Sequence, residues 1–194
     1  IMTRKSKVTR KTAETEIELE INLDGSGKAE VDTGIGFFDH MLTALTVHSG
    51  MDMTVKVKGD LYVDGHHSVE DTGIVIGTAF KQAIGDMKGI ARYGTSFIPM
   101  DESLGFCCLD ISNRPFLVFD ADFTDMRIGQ YDSCLTEEFF RAFAMNSGIT
   151  LHLRCEYGKN DHHKTESLFK AAAHALKQAK ELKSGEILST KGVL

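Results

Sequence analysis

The sequence lacks the features that mark membrane and secreted proteins. No apolar run is long enough to span a membrane, and no segment has the pattern of a signal peptide. Cysteine is scarce, and no Cys-x-x-Cys spacing occurs among Cys107, Cys108, Cys134 and Cys155. Because adjacent cysteines rarely pair with each other, we expect reduced thiols in the core of a cytoplasmic protein that binds no membrane.

An excess of basic charge is also missing. The chain carries 22 Lys and Arg residues against 28 Asp and Glu residues, and its net charge of −6 argues against a nucleic-acid partner. The basic run over residues 4–11 is therefore predicted to be a solvated arm. Neither a Gly-x-x-x-x-Gly-Lys loop nor a Gly-x-Gly-x-x-Gly loop after a strand occurs, so nothing supports nucleotide binding.

The alternation of apolar and polar residues predicts several strands. Apolar residues occupy every second position over 15–23, which indicates a strand with one solvent-exposed face. The turn over 24–27 predicts that 28–33 returns as a second strand. Further strands are expected over 53–58, 61–63, 104–112, 116–119 and 150–157, and helices over 37–48, 68–84, 136–147 and 162–183. Gly73 and Gly77, four residues apart on one helix, predict close packing against another element.

The order of elements occurs twice along the chain. Ser49-Gly50 and Ser147-Gly148 each stop a helix, and each is followed by a strand, a capping segment and a long helix. We therefore predict one compact α+β unit with internal pseudo-symmetry and sheets packed on helices. Its parts are a first half-repeat over 1–90, a second half-repeat over 91–184 and a C-terminal tail over 185–194.

The motif His-His-x-x-x-Glu also occurs twice, over 66–70 and over 162–166. On a helix, residues i and i+4 share a face, whereas neighbours diverge by about 100°. His66 and Glu70 can therefore address one metal ion while His67 points elsewhere, and the second copy has the same geometry. We expect the two helix starts to meet at a shared site for two ions. The mixed imidazole and carboxylate donors suit manganese, iron or zinc.

Two further residues are candidate ligands. His40 lies at the start of an earlier helix, and Glu138 occupies the matching place in the second half. A single His-His pair is more often a surface or capping feature, but its duplication with Glu at the same offset favours metal binding. His48 and His174 lack a partner pattern, and we expect structural roles for His174 and for His152.

Several cations form a second, weaker signal. Arg92 precedes Tyr-Gly and Arg114 lies in a turn. Lys170 follows Glu166 by one helical turn, and Lys191 belongs to a Ser-Thr-Lys-Gly tail. Each cation alone is more often a solvated charge. Turn-borne arginines and backbone amides can nevertheless hold an anion together, which points to phosphate recognition.

These motifs, in this order, resemble the imidazoleglycerol-phosphate dehydratase family, the manganese-dependent lyases of histidine biosynthesis. The resemblance covers nearly the whole chain. It rests on the segments Gly36 to Leu42, Asp64 to His67 with Glu70 to Gly73, Arg92 to Gly94, Arg114-Pro115, Asn160 to His163 with Glu166, and the terminal Ser-Thr-Lys-Gly.

The resemblance implies a fold, an assembly and a reaction. Each half would be a four-stranded sheet packed on two helices, as in the ribosomal protein S5 domain 2-like fold, with the helices sandwiched between the sheets. The subunits would form a 24-subunit homo-oligomer with active sites between subunits and two Mn²⁺ ions per active site. The small-molecule phosphate substrate would bind as an imidazolate between the metals. Loss of a carbon-bound proton and a hydroxyl would then give an enol that becomes imidazole acetol phosphate.

The resemblance also implies a role for individual residues. The implied metal ligands are His40, His66, His67, Glu70, His162, His163 and Glu166, with Glu138 as the further candidate. The implied catalytic residues are Glu14 and Glu166, as acid–base candidates, together with His67. The implied substrate and phosphate contacts are Glu14, Arg92, Arg114, Lys170, Ser189 and Lys191.

Three positions depart from the family pattern. Glu138 stands where many members carry His, and a carboxylate there can still ligate manganese. Ala44 stands where a substrate-contacting Gln is common. Asn113 replaces the usual Gly before Arg114 and predicts a left-handed backbone there, which Asn tolerates. The phosphatase domain of bifunctional members is missing, so dehydratase activity alone is expected.

Two other functions fit the same residues. A two-metal phosphoesterase would also use metal ions beside phosphate-binding cations, although such enzymes tend to use bridging carboxylates and imidazoles dominate here. A non-catalytic assembly protein would use its His-rich sites to join subunits. Release of inorganic phosphate would indicate the first, and metal-dependent assembly without turnover would indicate the second.

Overall fold

The structure, a computed structural model, describes residues 4–183 and 185–192. Its elements are, in order, β1 (Lys5–Lys11), β2 (Thr15–Asn22), β3 (Ala29–Asp32), α1 (Gly36–Ser49), β4 (Asp52–Gly59), α2 (His66–Ile84), β5 (Tyr93–Met100), β6 (Ser103–Ile111), β7 (Phe116–Asp120), β8 (Arg127–Ile128), β9 (Tyr131–Asp132), α3 (Leu135–Ser147), β10 (Ile149–Tyr157) and α4 (Asp161–Ala179). Residues 1–3, 184, 193 and 194 lie outside the described residues, and the division into 1–90, 91–184 and 185–194 stays a prediction.

Two four-stranded sheets share one strand arrangement. The first sheet has the order β1-β2-β4-β3 and the second the order β5-β6-β10-β7. In each sheet the first three strands pair antiparallel, and the last strand, β3 or β7, pairs parallel to its neighbour. This repeated topology confirms the predicted α+β fold with two pseudo-symmetric halves.

The four helices lie between the two sheets. On the first sheet, α2 packs on β1 and β2 while α1 packs on β3. On the second, α4 packs on β5 and β6 while α3 packs on β7. The helices of the first half meet those of the second where α2 packs on α3 and α1 packs on α4. The glycines of α2 permit this approach, because a Cβ atom on Gly73 would lie 2.7 Å from the carbonyl oxygen of Phe139.

The core fills the space between the sheets and the helices. Ile17, Leu19 and Ile21 are buried on the inner face of β2, as their alternation predicts. Between the helices, the ring of Phe139 stacks on that of Phe169 with centroids 5.2 Å apart. Burial of each such side chain stabilises the fold by roughly 1.5–3 kcal/mol, so the helix positions are set by packing rather than by local propensity.

The basic segment at the start of the chain is not an arm. Residues Lys5–Lys11 form β1, an edge strand paired along its whole length with β2. The lysines face solvent opposite acidic residues of β2, whereas Arg10 is half-buried. Lys7 lies 2.6 Å from Glu20 and Lys11 lies 3.1 Å from Glu16. Because opposite charges face each other across the two strands, the segment joins the sheet.

Three other local predictions were wrong. The strand predicted to return over 28–33 does not pair with β2, because β3 lies parallel to β4 instead. Residues 61–63 form a turn. The last helix ends at Ala179 rather than near residue 183. Beyond this point the backbone pairs with another segment, because the carbonyl oxygens of Ala179 and Glu181 accept the N–H groups of Arg92 and Ala91. β5 and the short β8–β9 pair were not predicted.

All four cysteines are free thiols, as expected, but only one belongs to the core. Cys107 is buried, Cys108 and Cys155 are half-buried, and Cys134 is exposed just before α3. Within residues 4–183 and 185–192, no helix combines the length and the apolar character needed to cross a membrane.

Candidate active site

The starts of α1 and α4 bring three candidate ligands together. The Nε2 atoms of His40 and His162 lie 3.4 Å and 3.3 Å from Oε2 of Glu166. One ligand atom from each of the three residues lies within 4.8 Å of the others. We refer to these three residues as the His40 cluster. Two imidazole nitrogens and one carboxylate oxygen at this spacing fit a divalent ion such as manganese, iron or zinc.

Local sequence sets the start of α4. The side chain of Asn160, in the capping segment predicted before the last helix, caps α4 by accepting the backbone N–H groups of His162 and His163. Asp161 is buried, accepts the backbone N–H of Thr124 at 2.7 Å and pairs with Lys164 at 2.7 Å. These contacts fix the first turn of the helix, and therefore the face on which His162 and Glu166 lie.

Phe37 packs against both imidazoles of the His40 cluster. Its ring centroid lies 4.9 Å from that of His162 and 6.3 Å from that of His40, edge-on in both cases. Asp39, next to His40, accepts the backbone N–H of Thr33 at 2.8 Å and ties the preceding loop to α1. The two rings are therefore held by an apolar contact and by a fixed helix start.

Glu166 is the buried carboxylate of the cluster. Its Oε1 lies 2.6 Å from Nζ of Lys170, which leaves Oε2 facing the histidines. Burial opposes ionisation, but the Lys170 ammonium and the His40 imidazole outweigh it and hold the pKa of Glu166 below its usual value. The carboxylate is therefore ionised at neutral pH and presents one oxygen to the two imidazoles.

The first copy of the motif forms a smaller group at the start of α2. Nε2 of His66 lies 3.5 Å from Oε2 of Glu70, and both side chains are exposed. We refer to these two residues as the His66 pair. Over the described residues of one chain, no third ligand joins them in a compact group. Glu138, on the facing helix α3, is instead held by Arg141 at 2.8 and 3.0 Å.

Within one chain, the two His-His helix starts do not meet. The start of α4 faces α1 at the His40 cluster. The start of α2 faces α3, since a Cβ atom on Gly65 would lie 3.4 Å from Leu135. The expectation of a shared site formed by both starts is therefore wrong for the single chain. Its physical reason is the layer order, which pairs α1 with α4 and α2 with α3.

The second histidine of each pair contacts different groups from the first. The rings of His66 and His67 stand at 87° to each other, and those of His162 and His163 at 76°. His67 lies against Asp60 at 3.0 Å and has Oε1 of Glu14 at 3.7 Å from its Nε2. Asp60 raises the pKa of His67 through its hydrogen bond to the ring.

His163 has a similar carboxylate neighbourhood. Its Nδ1 lies 2.7 Å from Oε2 of Glu102, and its Nε2 lies 3.7 Å from Oδ2 of Asp101. The backbone N–H of Asn160, the His163 ring and the N–H of Lys159 hold the pKa of Glu102 far below its usual value. His67 and His163 therefore lie apart from the His40 cluster and the His66 pair, each beside carboxylates of its own.

A cleft on the second sheet gathers most of the predicted phosphate contacts. It is lined by Arg92, Tyr93, Arg114 and the tail residues 187–191, and so includes Ser189 and Lys191. Lys170 is not among them, because it lies beside Glu166 on α4. The cleft thus joins four of the predicted contacts, which the sequence separates by almost a hundred positions.

Arg92 organises this cleft. Its backbone is left-handed, with φ of 72°, and its guanidinium donates to both oxygens of Asp110 at 2.7 and 3.0 Å. It also donates to the carbonyl oxygen of Leu188 at 2.6 Å, which fixes the tail. Asp110 raises the pKa of Arg92. Arg114 reaches the same carboxylate at 3.5 Å and stays exposed, so the cleft keeps an excess of positive charge.

The remaining departures have simple structural outcomes. Asn113 adopts φ of 55°, which confirms the predicted left-handed backbone before Arg114. Ala44 is buried in α1. The carboxylates Asp60, Glu102 and Asp110 were missed by sequence reasoning, since each lies in or beside an ordinary strand or turn and no motif marks it.

Comparison with known proteins identifies the family. The family model described as imidazoleglycerol-phosphate dehydratase matches residues 33–176. The chain belongs to the imidazoleglycerol-phosphate dehydratase family. The dehydratase of Clostridioides difficile is 60% identical over 188 residues, covering 97% of this chain and 98% of that protein. That of Acetivibrio thermocellus is 54% identical over 195 residues, covering 100% of both.

Solved structures agree with this assignment. The imidazoleglycerol-phosphate dehydratase of Staphylococcus aureus superposes with a TM-score of 0.84 at 39% identity, covering 92% of this chain and 99% of that chain. That of Pyrococcus furiosus gives a TM-score of 0.85 at 36% identity, covering 96% and 100%. Membership of the imidazoleglycerol-phosphate dehydratase family makes the chain an enzyme of the carbon–oxygen lyase class that acts in histidine biosynthesis. The phosphoesterase and non-catalytic alternatives are therefore not retained.

Proposed function

We propose that the chain dehydrates D-erythro-imidazole-glycerol phosphate to imidazole acetol phosphate in the cytoplasm, with two Mn²⁺ ions per active site. The observation that carries this proposal is the His40 cluster. Two imidazoles and a buried carboxylate converge there from helices that start far apart in the sequence. The reaction of this family requires stabilisation of negative charge on an imidazole ring, and metal ions held by such ligands would provide it.

The chain's donors divide into two incomplete sets. His40, His162 and Glu166 would hold one ion, and His66 and Glu70 would hold the other, with Glu138 as a candidate third ligand. When bound, the ions would supply the positive charge that stabilises the substrate ring as an imidazolate. Neither set fills an octahedral shell, so positions remain for His67 and His163 of another subunit and for substrate.

Two carboxylates are suited to move protons. Glu14 is half-exposed, and its Oε1 lies 3.7 Å from Nε2 of His67 without a hydrogen bond to it. It can therefore reach a substrate bound beside His67, as an acid or base must. One carboxylate oxygen of Glu166 lies 2.6 Å from Nζ of Lys170, and the other faces His40 and His162. In this arrangement Lys170 sustains the ionised form of Glu166.

The cleft between Arg92 and the tail would bind the substrate phosphate. Arg92 uses its guanidinium mainly to hold Asp110 and the Leu188 carbonyl, so it orders the tail. Arg114 is mostly exposed, and its guanidinium makes only long contacts, at 3.4 Å with the Ser112 carbonyl oxygen and at 3.5 Å with Asp110, so it is the cation most available to the phosphate. Ser189 and Lys191 add a hydroxyl and a further positive charge on the same side.

We further propose that active sites form between subunits of a 24-subunit homo-oligomer. The His66 pair is exposed and lacks a third ligand from the described part of its own chain. Apolar side chains beside it are also exposed, and Tyr62 in the preceding turn is 92% accessible. A second copy of the chain would cover these side chains and complete the ligand shells.

A substrate assay tests the proposal. Protein purified with Mn²⁺ should convert imidazole-glycerol phosphate to a product that carries a ketone, detected by its absorbance, without release of inorganic phosphate. Chelation should abolish turnover and added Mn²⁺ should restore it. Full turnover by protein shown by elemental analysis to hold no metal would contradict the metal-dependent mechanism, and release of phosphate would contradict the reaction.

A further inference from the structure

The Nδ1 atoms of His67 and His163 each face a carboxylate that belongs to neither ligand set. Oδ2 of Asp60 lies 3.0 Å from Nδ1 of His67, with Oδ1 at 3.2 Å. Oε2 of Glu102 lies 2.7 Å from Nδ1 of His163. The two contacts are alike, although Asp60 follows the last residue of β4 and Glu102 precedes the first residue of β6. The two halves thus reach the same arrangement from different positions in their sheets.

Contacts other than the histidine help to place both residues. Oε1 of Glu102 accepts the backbone N–H groups of Asn160 at 2.8 Å and Lys159 at 3.0 Å, so the cap of α4 holds it in place. The remaining oxygen, Oε2, is left for His163. The backbone of Asp60 is held after β4 by hydrogen bonds at its N–H and carbonyl groups, and its side chain is only 13% exposed. The Glu102 carboxylate thus has partners besides its histidine, and the Asp60 carboxylate is placed by its backbone.

A neutral imidazole has one N–H group and one nitrogen lone pair. A carboxylate at Nδ1 accepts the N–H there and leaves the lone pair on Nε2. In both residues Nε2 is directed toward the turn carboxylates Glu14 and Asp101, each at 3.7 Å and therefore beyond a hydrogen bond. Among the described residues, no carboxylate hydrogen-bonds Nδ1 of His66 or His162, so this feature distinguishes the second histidine of each pair.

We propose that Asp60 and Glu102 are positioning residues that hold His67 and His163 in the Nδ1–H tautomer and present Nε2 as the metal-binding atom. The tautomer itself follows from the geometry of the chain, whereas the identity of the ion rests on the proposed function. A carboxylate behind a ligating histidine raises its basicity and fixes its orientation, and loss of such a group typically weakens metal binding by about 10- to 100-fold.

The tautomers can be read directly from metal-free protein. Solid-state NMR of histidine-¹⁵N-labelled protein at pH 8 distinguishes Nδ1–H from Nε2–H rings, and a His67→Gln sample assigns the His67 signals. We expect Asp60→Ala to remove the Nδ1–H signal of His67. Asp60→Asn should retain it, because the amide oxygen still accepts the N–H. The matched control Asp64→Ala removes a neighbouring carboxylate that accepts the backbone N–H of His66 and acts on His67 through its charge alone among the described residues, so it should leave the His67 tautomer unchanged.

The same variants test the effect on the metal. Mn²⁺ titration followed by electron paramagnetic resonance should show affinity about 10-fold or more weaker in Asp60→Ala and close to the parent in Asp60→Asn and Asp64→Ala. Glu102→Gln has one oxygen, which the backbone N–H groups of Asn160 and Lys159 occupy, so its NH₂ group should face Nδ1 of His163 and remove the Nδ1–H tautomer there. An unchanged His67 tautomer in Asp60→Ala, or an altered tautomer with unchanged Mn²⁺ affinity, would overturn the inference. Parent protein in which His67 and His163 are both in the Nδ1–H form, but which binds no Mn²⁺, would support the tautomer assignment and contradict the proposed function.

Discussion

Nε2 of His40 lies 3.4 Å from Oε2 of Glu166, although 126 residues separate the two in the chain. Their meeting depends on the packing of α1 on α4, which joins the two halves of the molecule. The candidate metal site is therefore a product of the whole fold, and one copy of the His-His-x-x-x-Glu motif alone would not build it.

Glu138 allows the second ion to be tested separately. Its carboxylate pairs with Arg141 at 2.8 and 3.0 Å, and we expect it to leave Arg141 for a metal when that metal binds beside the His66 pair. Glu138→Ala should then lower bound Mn²⁺ from two ions to one per subunit, and Glu138→His should restore the second. Elemental analysis measures this.

Glu137 offers the matched control for that experiment. It also contacts Arg141, at 2.6 Å, and lies on the same turn of α3. Glu137→Ala should keep both ions. Two ions per subunit in Glu138→Ala would show that Glu138 is not a ligand.

Arg114 should serve substrate binding rather than chemistry. Its guanidinium is exposed beside Asp110, at the mouth of the cleft that Arg92 orders. Because a charge-assisted hydrogen bond contributes roughly 1.5–3 kcal/mol, Arg114→Met should raise KM by about 10- to 100-fold with kcat less affected. Steady-state kinetics measure both. Arg154→Met, which removes an exposed arginine paired with Glu156 on the same sheet, should leave KM unchanged; an equal rise there would refute a specific phosphate contact.

His48 and His174 should make the fold sensitive to mild acid. Their rings lie 5.3 Å apart between α1 and α4. Burial, then His174 and the ammonium groups of Lys170 and Lys177, lower the pKa of His48, against an opposing effect of Glu166. Burial and Lys177 lower the pKa of His174. In the unfolded chain both would titrate near an ordinary value of about 6.5.

Because both pKa values are lowered in the folded chain, acid should reduce its stability. As pH falls below about 6.5, the unfolded chain takes up protons before the folded chain does, so the free energy of unfolding decreases. Denaturant unfolding of metal-free protein at pH 7.5 and 5.5 should show this loss, and His174→Gln should reduce it. His152→Gln, at an exposed position of β10, should keep the parental loss. An identical pH dependence in His174→Gln and the parent would contradict the assignment.

Sequence reasoning found the parts of the site that depend on local geometry. Helical spacing places His162 and Glu166 on one face, and the cap residue Asn160 marks where α4 begins. The left-handed backbone at Asn113 was also predictable, because it depends on one residue type in a turn. Each of these features involves residues within a few positions of one another.

Other features depend on partners far apart in the chain and could not be read from it. The parallel pairing of β3 with β4 requires a crossover through α1, and the alternation in 28–33 does not distinguish it from a hairpin. The contacts of Asp60 and Glu102 with the histidines depend on where two sheets end relative to two helices. For the same reason, the layer order that separates the His66 pair from the His40 cluster appears only in three dimensions.

Subunit mixing tests most directly whether each active site combines the His40 cluster of one subunit with the His66 pair of another. His40→Ala and His66→Ala should each be inactive as homogeneous assemblies. Co-expressed in equal amounts with different affinity tags and purified through both, they should regain about one quarter of parental turnover, the fraction of randomly formed sites with both sets intact. Doubly tagged assemblies of parental mass that stay inactive would contradict sites shared between subunits.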